Sequence, residues 1–203
     1  LRGNATPVVR DGQVYVGYDN GKFVALQLAD GTLQWEQTIA APEGRTELER
    51  MGDIDGEIVA SDGQSYMVTY RGQAAALARD SGRVLWTRDM SSFTGVSVAA
   101  DEVYLSDADG AVWALDRRSG SSLWKQDALA HRWLTTPAVY GDYLAVGDYD
   151  GYLHILTRKD GATAARFHPA DKAIRAAPLV VGAHVLIEST DGELAAFVLE
   201  AAN

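Results

Sequence analysis

Glycine recurs in this chain at a fixed interval. Gly21 and Gly31, Gly72 and Gly82, Gly110 and Gly120, and Gly151 and Gly161 are each ten residues apart. Counting Gly192 as the start of a fifth copy, successive first glycines lie 51, 38, 41 and 41 residues apart. Between the glycines the pattern is constant. A turn such as Tyr18-Asp19-Asn20-Gly21 or Asp148-Tyr149-Asp150-Gly151 leads into a short apolar run. A second turn follows, Asp30-Gly31, Ser81-Gly82, Ser119-Gly120 or Asp160-Gly161. A last run then ends at Trp35, Trp86 or Trp124, with Ala165 at that position in the fourth copy. A unit this short cannot bury its own apolar face, so neighbouring units must stack.

The runs read as strands. Gln13 to Gly17, Asp101 to Leu105 and Asp142 to Val146 are rich in β-branched and aromatic residues. Asp11-Gly12, Ala100-Asp101 and Gly141-Asp142 before or within them are turn chemistry. Asn20-Gly21 and Asp150-Gly151 suit the two positive-φ positions of a type I′ hairpin. No segment sustains a 3.6-residue period, and Thr46 to Met51 forms a single helical turn at most. A period near 40 with turn glycines predicts an all-β propeller of four-stranded antiparallel blades. The expected blades are 7–37, 55–88, 95–126, 136–168 and 177–198, the last with three strands. A three-stranded final blade needs a closing strand. It comes either from a longer ring, of which this is part, or from Leu1 to Asn4 in a closed five-bladed ring.

Composition narrows the function. Hydrophobic residues are 47% and charged residues 23% of the chain, which is globular rather than disordered. A net charge of −10 disfavours nucleic acid and anionic headgroups as partners. Without cysteine there is no disulfide, zinc–thiolate or thiol nucleophile. No run approaches the roughly 20 apolar residues of a membrane-spanning helix. The opening Leu1-Arg2-Gly3-Asn4 is no secretory leader, so a signal peptide is expected to be absent or removed, and an amino-terminal part to be missing.

Each candidate site has an ordinary counterpart. Asp-x-Asp-Gly at Asp53, Asp107 and Asp148 suggests calcium, but an EF-hand loop has Gly at its sixth position and Glu at its twelfth. Here Gly is fourth, and the twelfth residues are Gln64, Arg118 and Lys159. Hairpin turns account better for Asp107 and Asp148. His131, His154, His168 and His184 show no zinc spacing, and His131-Arg132-Trp133 reads as an interblade contact. Asn4-Ala5-Thr6 matches a glycosylation sequon. No nucleophile elbow, P-loop or dinucleotide fingerprint occurs. Trp35, Trp86 and Trp124 share one repeat position and are read as interblade packing. Trp113 and Trp133 fall outside that pattern.

The segment from Ala40 to Ile54 breaks the rhythm, lengthening the first interval by about ten residues. It is either a tolerated surface loop or a binding loop. Its charges alternate in sign, and Leu48, Met51 and Ile54 offer apolar anchors among them.

Four stretches carry a resemblance: Leu1 to Pro7, Thr46 to Asp55, His131 to Pro137 and Val146 to His154. The repeat resembles that of quinoprotein-type eight-bladed propellers, and these stretches resemble the carboxy-terminal half of the BamB family of the bacterial β-barrel assembly machinery. The resemblance implies a non-catalytic scaffold without cofactor at the periplasmic face of the outer membrane. It implies that Leu1, Arg2, Asp53 and Asp55 bind the POTRA domains of BamA, with nascent outer-membrane proteins as further partners. Glu49 and Arg50 of the same loop complete the expected partner-binding set. Arg2 either contacts the partner or pairs with Asp53 or Asp55. Relative to that family the sequence lacks the amino-terminal half and its lipidated cysteine, so membrane attachment is expected only through an anchor outside this chain. The alternatives are a quinone-dependent dehydrogenase, a periplasmic sugar- or peptide-binding propeller for which Trp133 and Tyr149 are the hints, and strand edges that pair with unfolded substrates.

Overall fold

The computed structural model describes residues 6–18, 20–39, 56, 58–70 and 72–198. Among them are nineteen strands and no helix. The first sheet is β1 (Val8–Arg10), β2 (Gln13–Gly17), β3 (Lys22–Gln27) and β4 (Leu33–Thr38). The second is β5 (Val59–Ser61), β6 (Gln64–Val68), β7 (Gln73–Ala78) and β8 (Val84–Asp89). The third is β9 (Val96–Ala99), β10 (Glu102–Ser106), β11 (Val112–Asp116) and β12 (Ser122–Gln126). The fourth is β13 (Ala138–Tyr140), β14 (Tyr143–Gly147), β15 (Leu153–Thr157) and β16 (Thr163–Phe167). The fifth has three strands, β17 (Leu179–Val181), β18 (His184–Glu188) and β19 (Leu194–Phe197). Each sheet is an antiparallel meander in chain order, and the first strands of successive sheets are neighbours about a common axis. This is a β-propeller.

The turns sort by geometry. Asp11-Gly12 and Asp62-Gly63 both have positive φ, 49° and 75°, then 46° and 74°, and they close two-residue hairpins of type I′. The expected type I′ turns at Asn20-Gly21 and Asp150-Gly151 are different. Only the glycines are left-handed, at 73° and 83°. Gly21 N–H donates to Tyr18 O, and Tyr18 N–H donates to Lys22 O, giving a three-residue loop with the glycine as a bulge. At the Asp109-Gly110 turn, built the same way, and at Asp150-Gly151 a carboxylate explains the choice. Asp107 Oδ1 accepts the N–H groups of Asp109 and Ala111, and Asp148 Oδ1 those of Asp150 and Tyr152. A carboxylate that ties down two backbone donors favours this longer turn.

The core is a series of layers between sheets. Tyr15, Phe23 and Trp35 meet Met67, Ala75 and Leu77, and similar clusters fill the next three interfaces. In the second sheet the middle strands are covered on both faces, so β7 reads as continuous apolar sequence. The outer strand β4 alternates, with Trp35 buried between exposed Gln34 and Glu36.

One lock recurs at three interfaces. Trp35, Trp86 and Trp124 donate their indole N–H to the carbonyls of Arg79, Arg117 and Arg158 in the following sheet, at 2.8, 2.9 and 2.8 Å. The same arginines reach back with Nε to the hydroxyls of Tyr15, Tyr66 and Tyr104, at 3.0, 2.7 and 2.9 Å. Their guanidinium groups also pair with Asp11, Asp62 and Glu102, at 2.6, 3.0 and 2.6 Å. Each indole lies over the second glycine of the next repeat. A Cβ on Gly82, Gly120 or Gly161 would sit 2.6 Å from the ring. The arginines went unread in the sequence, although each stands seven residues after the first glycine of its repeat.

The fourth interface has no such lock. Ala145 and Ala165 replace the Tyr and Trp, and Leu199 stands where the next Arg would be. Aliphatic packing of Ile155, Ile174, Val185 and Ile187 takes over. Phe167 stacks on Phe197 at 5.5 Å, and Tyr140 Oη donates to Ala183 O at 2.7 Å.

Gly31 and Gly82 form a matched pair that tests the lock. Both are left-handed, at 73° and 69°, but Gly31 has no described atom within 4 Å of a new Cβ. Gly31→Ala is expected to cost about 1 kcal/mol from backbone strain alone. Gly82→Ala adds overpacking against Trp35 and is expected to cost about 3 kcal/mol or more. Urea unfolding of the two variants measures the difference, and equal losses would count against the lock.

Candidate interaction face

Antiparallel meanders sort the loops onto two ends of the arc. The connections between sheets and the turns after β2, β6, β10, β14 and β18 share one end. The remaining hairpins share the other. The inserted segment joins the end of β4 to the start of β5, and both of those strand termini lie at the connection end. Leu1, Arg2, Glu49, Arg50, Asp53 and Asp55 lie outside the described residues, as do Asn4 and Thr46 to Met51. The point where the segment rejoins the fold is described. Gly56 is buried, and a Cβ there would fall 2.4 Å from Thr94 O and 2.8 Å from Gly95 Cα. Only glycine permits that approach, so the chain that follows Asp55 re-enters the fold at a fixed point, two residues before buried Ile58.

Hydroxyls lace this end together. Ser92 Oγ donates to Ser106 O at 2.6 Å, and Ser106 Oγ donates to Thr135 O at 2.7 Å. Gly95 N–H donates to Thr136 Oγ1 at 2.9 Å, and Gly147 N–H to Thr135 Oγ1 at 3.0 Å. The bonds from Ser106 to Thr135 and from Gly95 to Thr136 cross between the third and fourth repeats, and the other two tie each connection to its own sheet.

A buried charge sits among them. Asp148 is 0% exposed and His154 1%. Asp148 Oδ2 accepts from His154 Nε2 at 2.9 Å and from Arg132 Nη1 at 3.0 Å. Nε2 therefore carries a proton, and Nδ1 has no partner among the described residues. Burial pushes the Asp148 carboxyl up. The His154 bond, the Tyr152 N–H and the Arg132 bond together outweigh it and hold the carboxyl below its ordinary range. Its chemistry is structural: it orients Arg132, whose carbonyl accepts Tyr149 N–H at 3.0 Å.

Aromatic rings gather beside this network, which the sequence hinted at only through Trp133 and Tyr149. Two adjoining concavities of about 430 and 580 Å³ share Phe93, Asp107 and Ala108. Trp133 and Tyr149 border the first, and Tyr70 and Trp113 the second. Trp133 is 66% exposed, which sets it apart from buried Trp35 and Trp86 and half-buried Trp124. His131 and Trp133 both have positive φ, 65° and 53°, a costly conformation for non-glycine residues.

A depressed acid stabilises the fold above its unfolded-state pKa, and that contribution is lost as pH falls through the folded value. Asp148→Asn turns an acceptor into a donor facing His154 and Arg132. It is expected to cost about 2–4 kcal/mol at neutral pH. The gap from the parent chain should narrow as pH drops from about 5 through about 3.8, the unfolded-state range, toward the lower folded value. Urea midpoints across that range decide it, and a pH-independent gap would refute the assignment.

The geometry can be set beside known proteins. A family model described as "Outer membrane protein assembly factor BamB" matches residues 1–126 and 115–202. The chain is 48% identical over 199 residues to the outer membrane protein assembly factor BamB of Xanthomonas campestris pv. campestris, covering 98% of this chain and 49% of that protein. It is 42% identical over 199 residues to the BamB of Pseudomonas aeruginosa, covering 98% of this chain and 52% of that protein. The crystal structure of BamB from Moraxella catarrhalis superimposes with a TM-score of 0.90 at 32% identity, over 98% of this chain and 60% of that one. The designed protein Ika8, at 14% identity and a TM-score of 0.73 over 95% of this chain and 57% of that one, shares the fold alone. The chain spans about half the length of the curated relatives it matches. With nearly every residue covered by the family model, the chain belongs to the BamB family of outer membrane protein assembly factors.

Proposed function

We propose that this chain is part of a non-catalytic scaffold in outer-membrane protein assembly, an arc of an eight-bladed ring at the periplasmic face of the outer membrane. The observation that carries this reading is the match of 98% of the chain to about half the length of BamB relatives in sequence, and to a BamB crystal structure in fold. In this reading the inserted loop docks the POTRA domains of BamA. Asp53, Asp55, Glu49 and Arg50 supply charge-assisted bonds, and Leu1 and Arg2 supply an apolar anchor and a cation. The locked sheets support it physically. A loop rooted at Gly56 on a stiff frame loses less freedom on binding than one on a mobile frame. The relatives are named as assembly factors, which supports the scaffold over a quinone-dependent dehydrogenase.

The test is affinity for purified POTRA domains of BamA, measured by biolayer interferometry. Asp53→Ala with Asp55→Ala is expected to weaken binding about tenfold or more and to flatten its salt dependence. Unchanged affinity and salt dependence would remove these carboxylates from the interface.

A further inference from the structure

The connection end holds a groove whose lining shares no residue with the set assigned above to POTRA docking. Its floor is a row of rings. Tyr70 stacks on Phe93 with centroids 4.5 Å apart, and Phe93 lies 5.5 Å from Trp133. The three come from different elements: the turn after β6, the connection from β8 to β9, and the connection from β12 to β13. Phe93 is 44% and Trp133 66% exposed. Contiguous exposed rings in a concavity mark a binding surface more than scattered apolar residues do. The placement of Trp133 is enforced. His131 N–H donates to Asp109 O at 3.1 Å, and a Cβ on Gly110 would sit 2.8 Å from His131 N. That packing holds the left-handed backbone through which the ring is presented to water.

Charge divides the groove lengthwise. Asp89 and Asp109 border the end near Tyr70 and Trp113, and neither forms an ion pair with a described residue. Two of the chain's own cations already lie over Trp113 there, Arg88 at 5.4 Å and Lys125 at 5.1 Å. At the other end Arg175 rests on the Tyr149 ring at 5.6 Å, and it too has no ion pair among the described residues.

The hydrogen-bonding groups discriminate between ligand classes. A saccharide stacked on the row of rings needs planar polar side chains free along the middle of the groove to take its hydroxyls. Here the Asp107 carboxylate is already occupied by Asp109 N–H, Ala111 N–H and Trp113 Nε1–H. The Ser106 hydroxyl is spent on a backbone carbonyl. What the groove offers is ring faces along its middle and, at its two ends, charges with no ion-pair partner among the described residues, Asp89 accepting one hydrogen bond from Gln73 Nε2 at 2.9 Å.

We propose that this groove binds an extended peptide segment of another protein that carries aromatic side chains, with a basic residue toward Asp89 and Asp109 and an acidic residue toward Arg175. The occupant follows from charge complementarity and from a row of rings that runs across three successive sheets. The site goes beyond POTRA docking and stands on the groove alone.

The experiment is fluorescence anisotropy with the intact chain and short fluorescein-labelled peptides. One peptide has a Tyr-Thr-Phe centre flanked by Lys at one end and Glu at the other. A second has both aromatic residues replaced by Ala, and a third has the charges replaced by Ser. A chito-oligosaccharide serves as competitor. The first peptide should bind, the alanine peptide should bind about tenfold or more weakly, and Trp133→Ala should cost a similar factor. Asp89→Asn with Asp109→Asn should weaken the charged peptide severalfold at low salt and leave the uncharged one unchanged. These carboxylates are exposed, so this variant keeps its fold and decides the question if Trp133→Ala does not fold. Equal binding of the first and alanine peptides overturns the proposal, as does indifference to the Asp89 and Asp109 changes. Displacement by the oligosaccharide would assign the groove to sugars instead. Asp53→Ala with Asp55→Ala should leave peptide affinity intact, and a parallel loss would overturn the groove as a separate site.

Discussion

The contact on which the molecule rests is an indole ring laid over a glycine of the next sheet. At Trp35 and Gly82, Trp86 and Gly120, and Trp124 and Gly161 the fit leaves no room for a single carbon. The same indole binds the carbonyl of an arginine whose side chain returns to a tyrosine hydroxyl of the tryptophan's own sheet. Each arginine is thus gripped at main chain and side chain by one neighbour. A buried ring, two hydrogen bonds and an ion pair repeated at one register make successive sheets behave as a stiff arc.

Much of this architecture was readable from the spacing of glycines. Ten-residue pairs at a period near 40 required short strands, tight turns and stacking, and the shared position of three tryptophans pointed to interblade packing. Half of the glycines' meaning was out of view. Gly82 was legible as a turn residue, but not as the seat of Trp35, because that partner lies 47 residues earlier by residue number. Arg79, Arg117 and Arg158 recur at one offset and were available to the same periodicity argument. Charged residues at strand ends look like solvated surface until the tyrosines that accept from them are placed opposite. The hairpin at Asp150 went to a longer turn because the Asp148 side chain, two residues earlier, captures the backbone, an interaction that dipeptide preferences do not contain.

The interaction face was legible in part, for a different reason. An insertion in a repeat announces itself by breaking the period, so the segment containing Glu49, Arg50, Asp53 and Asp55 could be singled out from length alone. Leu1 and Arg2 came only from resemblance, and all six lie outside the described residues. The groove is the converse case. Tyr70, Phe93, Trp133 and Tyr149 belong to four loops of three repeats and share no motif. Only the topology, which sends alternate loops to one end, brings them together. Binding chemistry and frame are therefore separable: the locks lie between sheets, and the loops of the connection end are free to differ.

That division makes one measurement decisive. Hydrogen–deuterium exchange of the chain with and without BamA POTRA domains reads both ends of the arc at once. Exchange should slow in peptides covering residues 40–55 and stay unchanged at the Asp11-Gly12 and Asp62-Gly63 hairpins of the opposite end. Protection centred on those hairpins, with residues 40–55 unaffected, would place the partner on the wrong end and contradict docking through the inserted loop.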